Sequence, residues 1–310
     1  MMLRVRSACK INLTLDVIGR RANGYHDLQS VVSTVGLYDE LAFNFAAPFQ
    51  AAPDSEHGRI ELHCNVPALQ TPDNLVLRAA HAWLGAASLS TFNGCTIHLS
   101  KRVPSGAGLG GGSGNAAATL WAFNHAHGNP LSPTELESVG ATLGADVPLF
   151  LRSAGPPAAG TLLMEGIGER LTPLATLSGW IAIVQPEITL ATPAIYRQFD
   201  ALSPVSRHDT PAFLRALEVA PGQRLPALAA ALGNDLTGSA QALGAPVGEL
   251  CRLLREQGAL GASMTGSGSA LFGLFEDERS ARTAAKLLHL SSVVNFAAAA
   301  PLGVAGVTRA

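Results

Sequence analysis

The densest chemical signal in the chain is Pro104-Ser105-Gly106-Ala107-Gly108-Leu109-Gly110-Gly111-Gly112-Ser113-Gly114, in which six of the nine positions from 106 to 114 are glycine. Each glycine loses more backbone entropy on folding than any other residue, so such a run has to serve a need for bare backbone. Without Cβ atoms, successive N–H groups turn inward as an anion nest, and a helix starting near Ser113 adds the partial positive charge of its N-terminus. The natural guest is a polyphosphate. A G-x-G-x-x-G dinucleotide fingerprint is formally present at Gly106, Gly108 and Gly111. It lies a third of the way along the chain, outside a first βαβ unit, and lacks a convincing acidic strand-end residue about 20 positions on. A Walker loop requires a lysine that does not follow Gly111 or Gly112. A plain flexible linker conflicts with the helical pattern that begins at its C-terminal side. A second cluster, Met264-Thr265-Gly266-Ser267-Gly268-Ser269-Ala270, reads either as a tight turn or as a second arm closing on the same phosphates.

Phosphoryl transfer needs positioned phosphates, a counter-charge and a group aimed at the attacking hydroxyl. Lys10 stands at the head of an alternating strand, where the competing reading is a solvated edge lysine. Asp146, in Gly144-Ala145-Asp146-Val147-Pro148, follows a helix stop among apolar residues and either caps a turn or pairs with a cation. If the two meet, the ammonium keeps the carboxylate ionised and both can orient an alcohol. The turn Gly19-Arg20-Arg21-Ala22-Asn23-Gly24-Tyr25-His26 ends in two rings that its Asn-Gly dipeptide does not explain. Tyr25 can stack on a planar base and His26 can hydrogen-bond a base edge, the bland alternative being half-buried turn aromatics. His26 has no i,i+4 partner or nearby Cys that would mark a metal ligand.

The elements that must carry these groups follow from pattern. Ile11, Leu13, Leu15 and Val17 alternate with Asn12, Thr14 and Asp16, which predicts a strand with one buried and one polar face. Further strands are expected over residues 40–45, 59–64, 95–100, 161–164, 180–184 and 270–275. Helices are expected over 75–84 after Thr71-Pro72, from Ser113 to about Ala126, and from a capping box at Ser132, Pro133 and Glu135 to about Gly144. Others open at Thr192-Pro193 and cover about 247–257 and 278–288, while 204–233 stays ambiguous between short helices and loop. Gly155, Pro156, Pro157 and Gly160 suit a domain junction near 155.

Composition bounds the rest. The 310 residues carry 21 Lys+Arg against 23 Asp+Glu, and only 14% are charged, which argues against an electrostatic nucleic-acid binder or a polybasic membrane clamp. No apolar run approaches the ~20 residues that span a bilayer. Cys9, Cys64, Cys95 and Cys251 lack C-x-x-C spacing, so free thiols in a reducing cytoplasm are expected. No period of about 20–50 residues repeats, which excludes solenoids and propellers.

These pieces, in this order, resemble the GHMP kinase superfamily. The resemblance covers Ala8 through Leu13, Gly19 through His26, Asp73-Asn74-Leu75, Lys101 through Ala117, Leu143 through Pro148, Glu165 through Glu169 and Met264 through Ala270. Gly19-Arg20-Arg21 through Tyr25-His26 is similar to the branch that acts on a diphosphocytidyl methylerythritol alcohol. The resemblance implies an α+β, two-domain fold, with a ribosomal S5 domain 2-like N-terminal domain (1–155, ATP-binding) and a ferredoxin-like C-terminal domain (156–310). It implies Lys10 and Asp146 as the catalytic pair. ATP would lie on Lys101, Pro104, Gly106, Gly108, Gly110, Gly111, Gly112 and Ser113, with Mg²⁺ held by phosphates and water rather than by a protein metal cluster. Asn12, Tyr25, His26, Thr192 and Tyr196 would line the diphosphocytidyl side, the base sandwiched by Tyr25 and Tyr196. The implied partners are this small molecule and ATP, with neither nucleic acid nor membrane, and the chain a monomer or weak dimer. Two departures stand out: Gly114 replaces a second loop serine, removing one hydroxyl contact to phosphate, and Cys9 replaces a small Ala.

Overall fold

In the computed structural model, which describes residues 1–46, 60–89, 92–154, 160–203 and 209–310, the candidate residues hang from one large sheet. Strands β1 (Met2–Asn12) and β2 (Thr14–Arg20) run end to end, both antiparallel to the long β3 (His26–Phe45). The alternation over Ile11–Val17 is present, but its polar side is no solvent face: Asn12, Thr14 and Asp16 are as buried as Ile11 and Leu13. The C-terminal half covers that side and meets its hydrogen-bonding demand. Thr14 shares a hydrogen bond with the Thr210 hydroxyl at 2.7 Å, and Asp16 accepts from the N–H groups of Asp209 and Thr210 at 3.0 and 2.9 Å.

Strand β4 (Ile60–Cys64) runs parallel to β5 (Cys95–Ser100), which is antiparallel to β3. Arg59, expected in β4, lies outside the described residues, and the strand expected over 40–45 is the far end of β3. Helix α1 (Leu75–Ala87) starts at Asn74 rather than Thr71, because the Asn74 side chain accepts from the Val76 N–H at 2.9 Å and satisfies a first-turn donor. Helix α2 (Gly111–Ala126) begins inside the glycine run, ahead of Ser113, with Gly110 as its N-cap at φ 66°. Helix α3 (Pro133–Leu143) carries the expected Ser132–Glu135 capping box and stops at Gly144, and α4 (Val147–Arg152) starts directly after Asp146. The four helices pack on one sheet face around the fully buried Phe43, Trp83 and Phe123. Gly114 lets α2 lie against β1, since a Cβ there would stand 2.5 Å from Ser7 Oγ and 2.8 Å from the Ala8 carbonyl oxygen.

The expected junction at 155 falls outside the described residues, and β6 (Thr161–Gly166) and β7 (Arg170–Pro173) still belong to the first sheet, β6 pairing with β3. A second sheet starts with β8 (Trp180–Gln185), which is apolar from Trp180 to Val184 because both faces are covered. Ile181 and Ile183 share a core with Ile11, Leu13 and Val31, whereas Ala182 and Val184 meet helices. Next come α5 (Thr192–Leu202), α6 (Asp209–Ala216), α7 (Pro221–Ala230), a two-residue β9 (Gly233–Asn234), α8 (Thr237–Ala242) and α9 (Val247–Glu256). Thus the stretch left ambiguous is helical in α6 and α7, its residues 204–208 lying outside those described. β10 (Gly261–Met264), β11 (Leu271–Phe275), α10 (Glu278–His289) and β12 (Phe296–Pro301) complete an antiparallel sheet in the order β10-β11-β8-β12, the ferredoxin-like arrangement. The halves are joined through the sheet as well as the core: β9 pairs with β2, and the last strand, β13 (Val307–Arg309), pairs with β1.

The four cysteines are free, and burial pushes the Cys9 and Cys95 thiols up to about 12, which makes them inert packing groups. Among the described residues no helix is long and apolar enough to cross a membrane.

One buried ion pair anchors the chain just before the glycine run. Asp39 of β3 receives the Lys101 ammonium and accepts from the N–H groups of Arg102 and Val103 at 2.7 and 2.8 Å, with both charged side chains almost fully buried. Replacing Asp39 with Ala leaves that ammonium buried and unpaired, so it should cost about 3–5 kcal/mol of unfolding free energy. Urea denaturation measures this, and a midpoint shifted no more than by a surface mutation would disprove the anchor.

Candidate active site

Two cavities share one wall. The larger, about 730 Å³, is lined by Lys10, Asn12, Tyr25, His26, Asp146, Thr192 and Tyr196, and the smaller, about 420 Å³, by Lys101, Pro104, Gly111 and Gly112. Gly106, Gly108, Gly110 and Ser113 face both. Every residue expected in catalysis, ATP binding or acceptor binding thus lies on one cavity or on the partition between them.

The partition is shaped by contacts that need glycine. At Gly110 (φ 66°) a Cβ would stand 2.9 Å from Lys10 Cγ, and at Gly108 (φ 78°) 2.5 Å from the Thr265 carbonyl oxygen. The loop's carbonyls are tied back into the protein: Leu109 O accepts from the Lys10 N–H at 2.9 Å and Ala107 O from the Ala270 N–H at 3.1 Å. The second glycine cluster thus packs against the first: the Gly268 N–H closes a turn on the Thr265 carbonyl oxygen at 3.0 Å, and Gly266, Ser267 and Gly268 line the larger cavity. No side chain caps α2, so the N–H groups of its first turn remain available to an anion where the partition opens. Gly114, by contrast, faces β1, so the departure there concerns helix–strand packing rather than a hydroxyl on the partition.

Lys10 is not a solvated edge lysine. It is 5% exposed, donates to Asn12 Oδ1 at 2.6 Å and lies 3.6 Å from Asp146 Oδ2. Asp146 makes no capping hydrogen bond, and its side chain keeps 28% of its surface open. This pair can hold a hydroxyl between a donor and an acceptor. Asn12 spends both ends of its amide inside the protein, on Lys10 and on Ser30 Oγ at 2.8 Å, so it orients the lysine rather than reaching far into the cavity. Lys101 lines the smaller cavity, but its ammonium is committed to Asp39.

The far end of the larger cavity is aromatic. His26 stacks on Tyr196 with ring centroids 4.9 Å apart and planes 22° off parallel, and Tyr25, 62% exposed, makes no ring contact with either. Burial, with the Asp146 charge behind it, pushes the Tyr196 phenol well above its ordinary range, so it stays neutral. The Thr192 hydroxyl meets the Ser267 hydroxyl at 2.8 Å, joining the start of α5 to the second glycine cluster. Sequence reasoning missed Asp200, whose Oδ1 lies 2.7 Å from His26 Nε2, and Thr265, whose Oγ1 accepts from the Asn12 N–H at 2.9 Å. Asp200 stands on an amphipathic helix, where nothing local separates it from a solvated acid. Thr265 lies in a cluster that composition alone presents as a turn.

Comparison with known proteins agrees with this geometry. The family model for the GHMP kinases N terminal domain matches residues 74–154, and that for the GHMP kinases C terminal region matches 213–288. A 4-diphosphocytidyl-2-C-methyl-D-erythritol kinase of Alkaliphilus metalliredigens (strain QYMF) is 35% identical over 284 residues, 91% of each chain. Its counterpart in Syntrophus aciditrophicus (strain SB) is 38% identical over 293 residues, 93% of this chain and 95% of the relative. The chain belongs to this family of GHMP kinases. A crystal structure of 4-(cytidine 5'-diphospho)-2C-methyl-D-erythritol kinase aligns with a TM-score of 0.77 at 32% identity, over 98% of this chain and 99% of that one.

In this GHMP kinase the Gly19–His26 segment is braced from below. Arg21 Nη2 lies 2.6 Å from Asp27 Oδ1 and 3.2 Å from Glu169 Oε1, while Glu169 Oε2 accepts the Ile167 N–H at 2.6 Å. Ile167 lines the larger cavity, so the brace ties the ring-bearing turn to the opposite wall. The hydrogen bond from Arg21 holds the Asp27 carboxyl below its ordinary value. Partial burial pushes Glu169 up, yet backbone N–H groups and Arg21 together hold it below the usual range. With both folded values lowered, the stability they contribute is full above the ordinary carboxylate range and is lost as pH falls through the folded values. Arg21→Met should therefore flatten the decline of Tm on the acid side of about pH 4.5. Thermal melts of both proteins across that range check this, and limbs of equal steepness would refute the brace.

Proposed function

We propose that the chain transfers the γ-phosphoryl group of ATP to the 2-hydroxyl of 4-diphosphocytidyl-2-C-methyl-D-erythritol, giving ADP and the 2-phosphate, a step of the non-mevalonate isoprenoid route. The observation that carries this reading is the Lys10–Asp146 contact at 3.6 Å, set on the larger cavity beside a glycine partition that also walls the smaller one. ATP on the small-cavity side would pass its phosphates across Gly106–Ser113, bringing the terminal phosphorus to the side where the acceptor waits.

On this reading Asp146 takes the proton of the attacking hydroxyl, and Lys10, oriented by Asn12, keeps the carboxylate charged and steadies the transferring oxygens. Such general-base help is worth about 10²–10⁴-fold. Mg²⁺ would be carried mainly by phosphate oxygens and water, with Ser113, which faces both cavities, at hand. When bound, that ion supplies charge neutralisation between the phosphates. Lys101 acts through its clamp on the chain leading into the partition. At the other end, Tyr25 and Tyr196 form the two plates for the cytosine, His26 meets its edge, and Thr192 stands near the diphosphate. The free thiols suit a cytoplasmic enzyme, which we read as a monomer or weak dimer.

ADP release with the cytidylyl acceptor, beside homoserine and mevalonate, tests the reading directly, and turnover confined to either of the latter would overturn it. Asp146→Asn should lower kcat at least about 10²-fold with KM for ATP nearly unchanged; undiminished kcat would remove it from the proton transfer. Tyr25→Ala should raise KM for the cytidylyl acceptor about 5- to 100-fold while leaving that for ATP in place, as expected for one lost base stack. Equal losses for both ligands would take Tyr25 out of the base site.

A further inference from the structure

Asp200, on α5, is the polar partner of the His26 ring. Its Oδ1 is 2.7 Å from His26 Nε2, and its Oδ2 lies 3.5 Å from Arg20 Nη1. A carboxylate only accepts, so in the neutral form of the ring Nε2 carries the proton and Nδ1 is left as a bare acceptor. Nδ1 has no partner among the described residues, and His26 lines the larger cavity. The ring cannot turn to present its other edge, because Tyr196 stacks on its face and Phe199 abuts it edge-on at 6.1 Å between centroids.

We infer that Asp200 is a positioning residue that makes this end of the cavity select a base whose edge offers an amino donor, as cytosine does, over one with a carbonyl oxygen at the same place, as in uracil. The inference rests on the cytidylyl reading above. A carbonyl oxygen set against Nδ1 opposes two lone pairs and leaves both without a donor, and sites built on such a polar contact discriminate far more strongly than apolar pockets do.

Asp200→Asn tests it. Arg20 still draws the oxygen of the new amide, which turns the NH₂ toward Nε2 and moves the ring proton to Nδ1, converting the acceptor into a donor. We would measure kcat/KM for the cytidylyl acceptor and its uridylyl analogue at about pH 8, above the range in which free imidazole takes up a proton. The unmodified enzyme should prefer the cytidylyl acceptor by at least about 100-fold. The variant should lower that ratio at least about 10-fold with KM for ATP unchanged, the loss expected for one base-edge contact. A ratio that holds while both rates fall together would reduce Asp200 to a structural role and overturn the inference. ¹⁵N NMR of the His26 ring in the unmodified protein reads the tautomer without any variant: a proton on Nε2 supports the inference, and one on Nδ1 overturns it. An unmodified enzyme inert toward the cytidylyl acceptor but active on another alcohol would overturn the functional reading instead, whatever the tautomer.

Discussion

The approach of the first turn of α2 to β1 sets the terms for everything around it. Gly110 and Gly114 remove the side chains that would meet Lys10 and Ser7, and at Gly111 a Cβ would stand 2.9 Å from Val103 Cγ1 and 3.1 Å from Lys101 Nζ. Close packing on several sides therefore accounts for much of the glycine run before any ligand is considered. Anion chemistry is what that packing leaves behind: a helix end stripped of side chains, with its N–H groups facing open space and a lysine alongside.

Such an arrangement gathers like charges, since two ammonium groups and the positive end of a helix dipole share a small volume. Each lysine is given a carboxylate, but the two pairs differ in access. The Asp39 side chain is wholly enclosed and spends its remaining valence on backbone N–H groups, so the Lys101 pair stiffens the chain. Asp146 keeps more than a quarter of its side-chain surface open at a longer separation from its lysine, so it remains free to take a third party. Burial of the acid, rather than identity of the base, separates the enclosed pair from the one that stays accessible.

Much of this was legible from residue order because the signals are local. Glycine density, the Ser132–Glu135 capping box and apolar runs bounded by turns each act within a few positions, and the corresponding elements stand within a residue or two of where the pattern puts them. What stayed hidden depends on distant chain. The polar side of β1 and β2 reads as solvated until α6, more than 190 positions away, supplies the N–H groups that Asp16 accepts. Asn74 displaced Thr71-Pro72 as the start of α1 because the choice between two competent caps is made by where the preceding chain can pack. Asp200 is indistinguishable in sequence from any acid on an amphipathic helix; only folding brings His26 to it across 174 positions.

The pairing of β13 with β1 carries a consequence for biosynthesis. Val5 sits opposite Arg309, and the Ala8 N–H reaches the Gly306 carbonyl oxygen at 2.8 Å, so this edge of the strand bearing Lys10 is covered over Val5–Ala8 by residues translated long after it. During elongation at about 5–20 residues per second, that edge stands bare for many seconds, an open template for stray strand pairing. A nascent chain of this protein thus has its greatest need of a chaperone in the interval between the emergence of β1 and that of β13.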